Sequence, residues 1–267
     1  MTSGPTSPDL RHLAGPFDVI GDVHGCADEL IALLAALGYR VELTGMGEAR
    51  CAKVTAPPGR RAIFVGDLVD RGPNSPDVLR IVMAMAAAGT GLAVPGNHDN
   101  KFQRWLDGHT VMLTHGLDLT VEQMAPEPTG FRDAVRDFLK GLPAHLWLDG
   151  GRLVVAHAGI KEHMIGHDGG AVRSFCLYGD HGGRDFDGLP IRYNWAADYR
   201  GAATVLYGHT PVEHPEWLNN TLCLDTGCCF GNRLTALRWP ERELVAVPAV
   251  RAYLPLRRPL GLPPARP

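Results

Sequence analysis

Short apolar runs alternate with amphipathic segments in the first part of the chain. The run at 17–20 is followed by four leucines at helical spacing, Leu30, Leu33, Leu34 and Leu37. Side chains at this spacing share one face of a helix. Gly38 comes directly after the stripe, where a left-handed C-terminal cap is expected. The pattern therefore predicts a strand followed by an amphipathic helix.

The alternation then repeats, and later it changes. Residues 40–55 are rich in β-formers around a Gly-x-Gly turn and predict a peripheral hairpin. Further elements are predicted as strands at 62–65 and 92–94 and as helices at 75–88 and near 131–141. Later apolar runs follow one another, at 153–156, 204–207, 222–224, 234–238 and 244–247. This order predicts an α/β fold in which two packed sheets are flanked by helices.

The length of 267 residues suits one large α/β domain. We expect a single domain over 17–250, with a Gly/Asp/His-rich insertion at about 161–200. The polar segment 1–16 is predicted to be disordered. The chain is expected to end in a Pro/Arg-rich tail at 251–267, which is predicted to be disordered from Leu254 onward. The start of the chain lacks the apolar core of a signal peptide, and no apolar run reaches membrane-helix length. The sequence therefore predicts a cytoplasmic protein with no membrane partner.

The insertion carries a group of aromatic side chains, namely Phe175, Tyr178, Tyr193, Trp195 and Tyr199. Aromatic side chains in such a segment can cover an edge of the core, or they can stack on a nucleobase. Of the two interpretations, we favour coverage of the core edge.

The charge and the cysteines narrow the range of functions. A formal net charge of −3 excludes an extended basic face for nucleic acid. Contact with a nucleic-acid end at a local site stays open. The six cysteines form no C-x-x-C pair, a pattern that indicates reduced thiols rather than a structural zinc site. The sequence assigns no oligomeric state.

Five short motifs at the ends of predicted strands hold most of the informative polar residues. They are Gly21-Asp22-Val23-His24-Gly25, Gly66-Asp67-Leu68-Val69-Asp70-Arg71-Gly72, Gly96-Asn97-His98-Asp99, Ala156-His157-Ala158-Gly159 and Gly208-His209-Thr210-Pro211. Open α/β sheets place ligands at the ends of their strands. Small flanking residues allow backbone and side chains to crowd around a small ligand. We therefore expect these motifs to form one site.

The side chains of these motifs are typical metal ligands. Asp22 and His24 are two residues apart and can project to one side as a strand ends. The carboxylate of Asp67 can bridge two cations. The remaining candidates supply an amide oxygen and two imidazoles, from Asn97, His157 and His209. A mixed oxygen and nitrogen set without thiolates suits Mn, Fe or Zn better than Ca or Mg.

The charge of such a site indicates its substrate. The positive charge of two divalent cations would exceed the negative charge of Asp22, Asp67 and a bridging hydroxide. With the positive charge of Arg71, the site would have a net charge of roughly plus two. This charge matches a phosphate dianion. Two metals can activate a water and clamp the attacking and leaving oxygens, while the guanidinium of Arg71 binds the phosphate. His98 is placed to protonate the leaving oxygen, and Asp70 can orient its ring.

Taken together, the five motifs resemble those of the calcineurin-like metallophosphoesterases. The resemblance spans about residues 17–247. It is closest to the phosphatase domain of bacterial polynucleotide kinase–phosphatase and next to the asymmetrical diadenosine tetraphosphatase type. The resemblance implies a four-layer α/β/β/α sandwich and two divalent metal ions, usually Mn²⁺, with Fe, Ni or Zn as alternatives.

The resemblance also implies a role for each candidate residue. Asp22, His24 and Asp67 would hold one metal. The second metal would share Asp67 and take three further ligands, Asn97, His157 and His209. Asp70, Arg71 and His98 would have the catalytic roles described above. Asp225 matches a family carboxylate that lies close to the metal ligands and supports them.

Several functions stay open at this point. The leading prediction is hydrolysis of nucleotide-type phosphates, either RNA 2′-phosphate or 2′,3′-cyclic phosphate ends or dinucleoside polyphosphates. A serine/threonine phosphoprotein phosphatase is the alternative enzyme, although the Ser-Ala-Pro-Asn-Tyr run of eukaryotic protein phosphatases is absent after Asp225. A phosphate-sensing pseudoenzyme is the non-enzymatic alternative. No G-x-x-x-x-G-K-[ST] loop is present, so no kinase module is predicted.

Overall fold

A computed structural model describes residues 7–184, 190–256 and 259–266. In these ranges the helices are α1 (Ala27–Ala36), α2 (Ser75–Ala87), α3 (Asn97–Leu106), α4 (Leu117–Met124), α5 (Thr129–Gly141) and α6 (Gly170–Tyr178). The strands are β1 (Asp9–Leu10), β2 (Phe17–Ile20), β3 (Arg40–Thr44), β4 (Cys51–Thr55), β5 (Arg61–Phe64), β6 (Gly91–Ala93), β7 (His145–Leu148), β8 (Leu153–Ala156), β9 (Asp180–Arg184), β10 (Pro190–Tyr193), β11 (Thr204–Tyr207), β12 (Trp217–Leu218), β13 (Thr221–Cys223), β14 (Arg233–Trp239) and β15 (Glu243–Pro248).

The first large sheet has the strand order β15-β14-β2-β5-β6. Strands β2, β5 and β6 are parallel, with Ile20 opposite Phe64 and Phe64 opposite Ala93. Because parallel strands end at the same edge of a sheet, the segments that follow β2, β5 and β6 meet there. These segments are the first three of the polar motifs.

The second large sheet has the order β1-β7-β8-β11-β13-β12. Its central strands β8, β11 and β13 are parallel, with Leu206 opposite both Val155 and Leu222. The two remaining motifs follow β8 and β11, so they also lie at a common edge. The segment after β13 carries Asp225 to the same edge.

Three groups of buried apolar side chains separate four layers. Val19, Ile63, Val155 and Leu206 pack between the sheets, and all are fully buried. Helices α1 and α2 cover the outer face of the first sheet. On the outer face of the second sheet, α6 packs with side chains of the insertion. The α/β/β/α sandwich expected from the sequence is confirmed. No described helix has the length and apolarity that a bilayer crossing requires.

The two-sheet pattern and most of its elements agree with the sequence. The predicted hairpin is β3 paired antiparallel with β4, and Leu30, Leu33 and Leu34 of α1 are fully buried. Helices α3 and α4 and strand β7 were not predicted. Helix α3 was missed because its sequence, NHDNKFQRWL, is mostly polar, and it buries only three side chains.

The disorder predicted for 1–16 is wrong for residues 7–16. Strand β1 adds to the edge of the second sheet in parallel with β7, and the guanidinium of Arg11 lies 4.1 Å from the ring centre of Trp147. A two-residue edge strand leaves no periodic signal in a polar, Pro/Gly-rich segment. Residues 1–6 lie outside the described ranges.

The disorder predicted from Leu254 onward is also wrong for residues 259–266. The N–H of Gly261 donates to the carbonyl of Pro211 at 2.9 Å, and the N–H of Asn194 donates to that of Pro264 at 2.8 Å. The tail is therefore held against the insertion and against the segment that follows His209 by backbone hydrogen bonds, which composition does not reveal. Residues 257, 258 and 267 are outside the described ranges.

A buried histidine of β7 predicts acid sensitivity of the fold. Burial lowers the pKa of His145 from 6.5 to about 4, and its Nε2 accepts from the N–H of Gly166 at 2.9 Å. Between these two pH values His145 is protonated in the unfolded chain but neutral in the folded chain. The free energy of unfolding therefore falls as the pH falls. We expect His145→Gln, which retains an acceptor, to reduce the loss of unfolding free energy between about pH 7.5 and about pH 5 by about 2 kcal/mol.

Urea unfolding at both pH values measures this difference. The comparison of the two proteins cancels the contributions of all other titrating groups. An identical pH dependence in the variant and in the unsubstituted protein would show that the pKa of His145 is the same in the folded and unfolded states.

Candidate metal centre

The sheet edges bring the predicted residues together. Each residue lies in the segment that follows one of the strands. Asp22 and His24 follow β2, Asp67, Asp70 and Arg71 follow β5, Asn97 and His98 follow β6, His157 follows β8, His209 follows β11, and Asp225 follows β13. Asp22 Oδ2 accepts from the backbone N–H of His209 at 3.0 Å, a contact that joins the first sheet to the second. The roles predicted for these residues concern chemistry and stay predictions; their proximity is a feature of the structure.

The backbone of the site is held in unusual conformations. The residues with positive φ include five from the motifs, His24, Asp67, Asp70, Arg71 and His209. Such conformations are uncommon for residues with a Cβ and cluster at functional sites. Neighbouring glycines permit the close packing. A Cβ on Gly208 would lie 1.8 Å from Asp22 Oδ1, and one on Gly96 would lie 2.0 Å from Asp67 Oδ1.

Asp67 lies at the centre of the site, and its two carboxylate oxygens face different partners. Oδ2 is 3.4 Å from Nε2 of His24, and Oδ1 is 3.4 Å from Nε2 of His157. Oδ1 also accepts from the backbone N–H of His98 at 3.0 Å. One aspartate therefore connects two clusters of potential ligands, which is the geometry that a carboxylate bridging two cations requires.

Hydrogen bonds at Nδ1 fix the orientation of two imidazoles whose Nε2 atoms face Asp67. His24 Nδ1 lies 3.0 Å from the carbonyl of Val69, and His157 Nδ1 lies 3.0 Å from that of Val65. Because a carbonyl accepts only, each Nδ1 carries the hydrogen, and each neutral ring directs the lone pair of Nε2 into the site. His157 Nε2 is also 3.1 Å from Asn97 Oδ1 and 3.1 Å from His209 Nδ1. These are electron-rich atoms that converge on a small space.

Burial shifts the pKa values of several side chains in the site. Burial raises the pKa of Asp67 and of Asp225 to about 6, and it raises the pKa of Asp22 well above its usual value. Burial lowers the pKa of His157 to about 4. Asp22 Oδ1 is buried and has no hydrogen-bond partner among the described residues. The donor set therefore fits two divalent cations, which would stabilise the carboxylates and use the lone pairs.

A second network surrounds the guanidinium of Arg71. Its two terminal nitrogens lie 2.8 Å from Nε2 of His24 and 2.9 Å from Nε2 of His98. His98 Nδ1 is 2.6 Å from Asp70 Oδ2, and Thr120 donates its hydroxyl to Asp70 Oδ1 at 2.6 Å. Burial raises the pKa of Asp70 to about 8. The structure thus contains the contact between His98 and Asp70 that the sequence predicted.

Asp99 supports the site and was not recognised in the sequence as a site residue. Its Oδ1 accepts from the N–H of Leu68 at 2.9 Å, and its Oδ2 accepts from the N–H of Gly96 at 2.8 Å. It thereby ties the segment of Asp67 to the start of α3. The signal was available, because an acid at the third position of a helix commonly bonds back to the N-cap.

Arg192 on β10 is a second residue that the sequence did not identify. Its Nη1 lies 3.4 Å from the carbonyl of His209 and 3.4 Å from the hydroxyl of Thr210. Burial lowers the pKa of His209, and the positive charge of Arg192 lowers it further. Arg71 thus contacts the His24 and His98 half of the site, while Arg192 lies beside the His209 half. Arg192 belongs to no motif, so the sequence contains no signal for it.

The comparison with known families agrees with this geometry. The model of the calcineurin-like phosphoesterases matches residues 15–238, which is most of the chain. The chain is a calcineurin-like metallophosphoesterase. Membership makes it a hydrolase of phosphate esters, and the family uses a dinuclear site for divalent metals.

Two relatives share most of the phosphoesterase's length. They are the asymmetrical bis(5′-nucleosyl)-tetraphosphatases PrpE of Anoxybacillus flavithermus and Geobacillus thermodenitrificans, each 44% identical over 243 residues. Each alignment covers 89% of this chain and 96% of the relative. A crystal structure described as that of a candidate diadenosine tetraphosphatase has a TM-score of 0.62 at 24% identity, covers 90% of this chain and 96% of its own, and supports the fold.

The contacts of Asp99 predict a cost for its replacement. In Asp99→Asn one carboxylate oxygen becomes an amide group, and this donor would face a backbone N–H. We expect the free energy of unfolding to fall by about 1–3 kcal/mol, because a buried N–H loses its acceptor. Urea unfolding at about pH 8 measures the change. Asp118→Asn, at an exposed position of α4, is the control, and equal stabilities of the two variants would contradict the anchoring role of Asp99.

Proposed function

We propose that the phosphoesterase hydrolyses dinucleoside polyphosphates by asymmetric cleavage, so that diadenosine tetraphosphate and water give AMP and ATP. The observation that carries the proposal is the cluster around Asp67, a site suited to an anionic phosphate, in a chain that is 44% identical over 243 residues to an asymmetrical tetraphosphatase. The RNA-end substrates predicted alongside find no support among these relatives and stay predictions.

The clusters on the two sides of Asp67 and the resemblance to the family, which adds Asp22, indicate the residues that would hold the cations. In this proposal Asp22, His24 and Asp67 hold one divalent ion. Asp67 would also hold the second ion, together with Asn97, His157 and His209. When bound, the cations supply an activated water and neutralise charge on the phosphate. Manganese is the proposed metal, since a mixed oxygen and nitrogen set favours a transition metal over calcium or magnesium.

Arg71 and His98 act on the phosphate and on the leaving oxygen in this proposal. Arg71 is held by two imidazole nitrogens, which are weaker partners for a guanidinium than a phosphate is. A bound phosphate would therefore draw Arg71 away from His98 Nε2. That nitrogen could then carry a proton toward the leaving oxygen, while Asp70 at Nδ1 stabilises the charged ring. Asp225, buried near the carboxylates and accepting from the N–H of Gly227, supports the loop beside the ligands.

The substrate proposal predicts a defined product pattern. With Mn²⁺, diadenosine tetraphosphate should give equal amounts of AMP and ATP, which anion-exchange chromatography resolves. A chelator should abolish turnover, and Asp67→Asn should lower it by at least about a thousandfold, because one carboxylate oxygen and a full charge are lost between both ion sites. Asp118→Asn is again the matched control.

Competing substrates distinguish the remaining alternatives. The same assay should include an RNA 2′-phosphate, a 2′,3′-cyclic phosphate and a phosphopeptide. A kcat/KM higher for the phosphopeptide than for diadenosine tetraphosphate would overturn the substrate assignment in favour of a phosphoprotein phosphatase. Equal rates for the unsubstituted and Asp67→Asn proteins would indicate a pseudoenzyme.

The role of His98 predicts a dependence on the leaving group. His98→Ala should lower kcat about 10²–10⁴-fold for a phosphate ester with a poorly acidic leaving alcohol. The loss should be much smaller for p-nitrophenyl phosphate, whose leaving group needs little protonation. Steady-state kinetics on both esters tests this difference. Equal losses on both would show that His98 positions the substrate but does not act as an acid.

A further inference from the structure

An open cleft adjoins the metal centre on the side of the second sheet. It is open to solvent. It is lined by His209 and Thr210, which belong to the metal centre, and by Tyr178, Arg192, Tyr193 and Asn194 of the insertion. Leu262 and Pro263 of the C-terminal tail complete the wall. The cleft therefore begins at a candidate metal ligand and ends in the insertion.

The aromatic side chains of the insertion divide between two environments. Trp195 and Tyr199 are buried in the core under the second sheet, and Phe175 packs against them. Trp195 also lines the cleft but is only 7% exposed, whereas Tyr178 lines the cleft and is 41% exposed. Coverage of the core edge, the interpretation favoured from the sequence, therefore accounts for the first three residues only. The ring of Tyr178 meets the ring of His181 edge-on, with 6.5 Å between the ring centres, and 41% of Tyr178 stays exposed.

Arg192 places a positive charge between the metal centre and this aromatic surface. Its guanidinium lines the cleft and lies next to the backbone of His209. Arg192 lies opposite His181 in the β9–β10 pair, and the ring of His181 meets that of Tyr178. From the metal centre, a ligand in the cleft thus reaches the cation first and the ring of Tyr178 next. Phosphate followed by a base has the same order of chemical groups.

We propose that this cleft binds one nucleoside end of a dinucleoside polyphosphate, with the base against Tyr178 and a non-reacting phosphate beside Arg192. The proposal rests on the proposed function, because it concerns the same substrate. It goes further in assigning specificity to the insertion: a simple phosphomonoester can occupy the metal centre, but only a nucleotide substrate extends into the cleft.

The test of Tyr178 compares two substrates in one protein. The quantity measured is the ratio of kcat/KM for diadenosine tetraphosphate to kcat/KM for p-nitrophenyl phosphate. In Tyr178→Ala this ratio should fall about tenfold, the size expected for the loss of one base-stacking contact, and Tyr178→Phe should restore it. Trp217→Ala is the matched control, because Trp217 is 40% exposed and does not line the cleft.

The test of Arg192 separates a subsite from the reaction centre. In Arg192→Gln the same ratio should fall at least about tenfold, and Arg192→Lys should recover part of it, because a positive charge remains. Equal losses on both substrates would place Arg192 at the reacting phosphate and overturn the subsite. An unchanged ratio in Tyr178→Ala would overturn the nucleoside position.

The failure of this proposal is distinguishable from failure of the proposed function. If the unsubstituted protein does not cleave diadenosine tetraphosphate, the function itself is wrong. If it does cleave diadenosine tetraphosphate and the ratios do not change, only the cleft assignment is wrong.

Discussion

The carboxylate of Asp67 is buried between imidazoles on both sides, and the arrangement of the site depends on this one group. Its two oxygens lie 3.4 Å from the lone-pair nitrogens of His24 and His157. Atoms of like polarity come this close in a protein interior only where positive charge compensates them. The site is therefore built for cations. The two arginines at its flanks are suited to the anion that such cations attract.

The two-sheet architecture is what makes this convergence possible. Parallel strands of the first sheet supply the oxygen-rich segments, and those of the second supply His157 and His209. A hydrophobic layer fixes one sheet against the other. A shift of one residue in register would turn the strand-end side chains to the opposite face, so the inter-sheet core controls the site geometry.

The sequence predicted the centre of the site because its chemistry is local. Asp22, Asp67 and His209 each follow a buried apolar run and are flanked by glycine, and both features can be read from a few residues. The same holds for α1, whose leucine stripe is periodic. The edge strand β1 and the tail contacts of Gly261 depend on partners far along the chain, and composition carries no information about such pairing.

Residues that act through the backbone were the hardest to find. Asp99 binds no candidate cation, yet it accepts from Leu68 and Gly96 and so restrains the segments that hold Asp67 and Asn97. The positive φ of Asp67 costs conformational energy that such contacts must offset. Further backbone bonds have the same effect, for example from the N–H of His24 to the carbonyl of Asp67 at 2.8 Å. The precision of the centre thus comes from groups outside it, and a motif search that scores only potential ligands will overlook them.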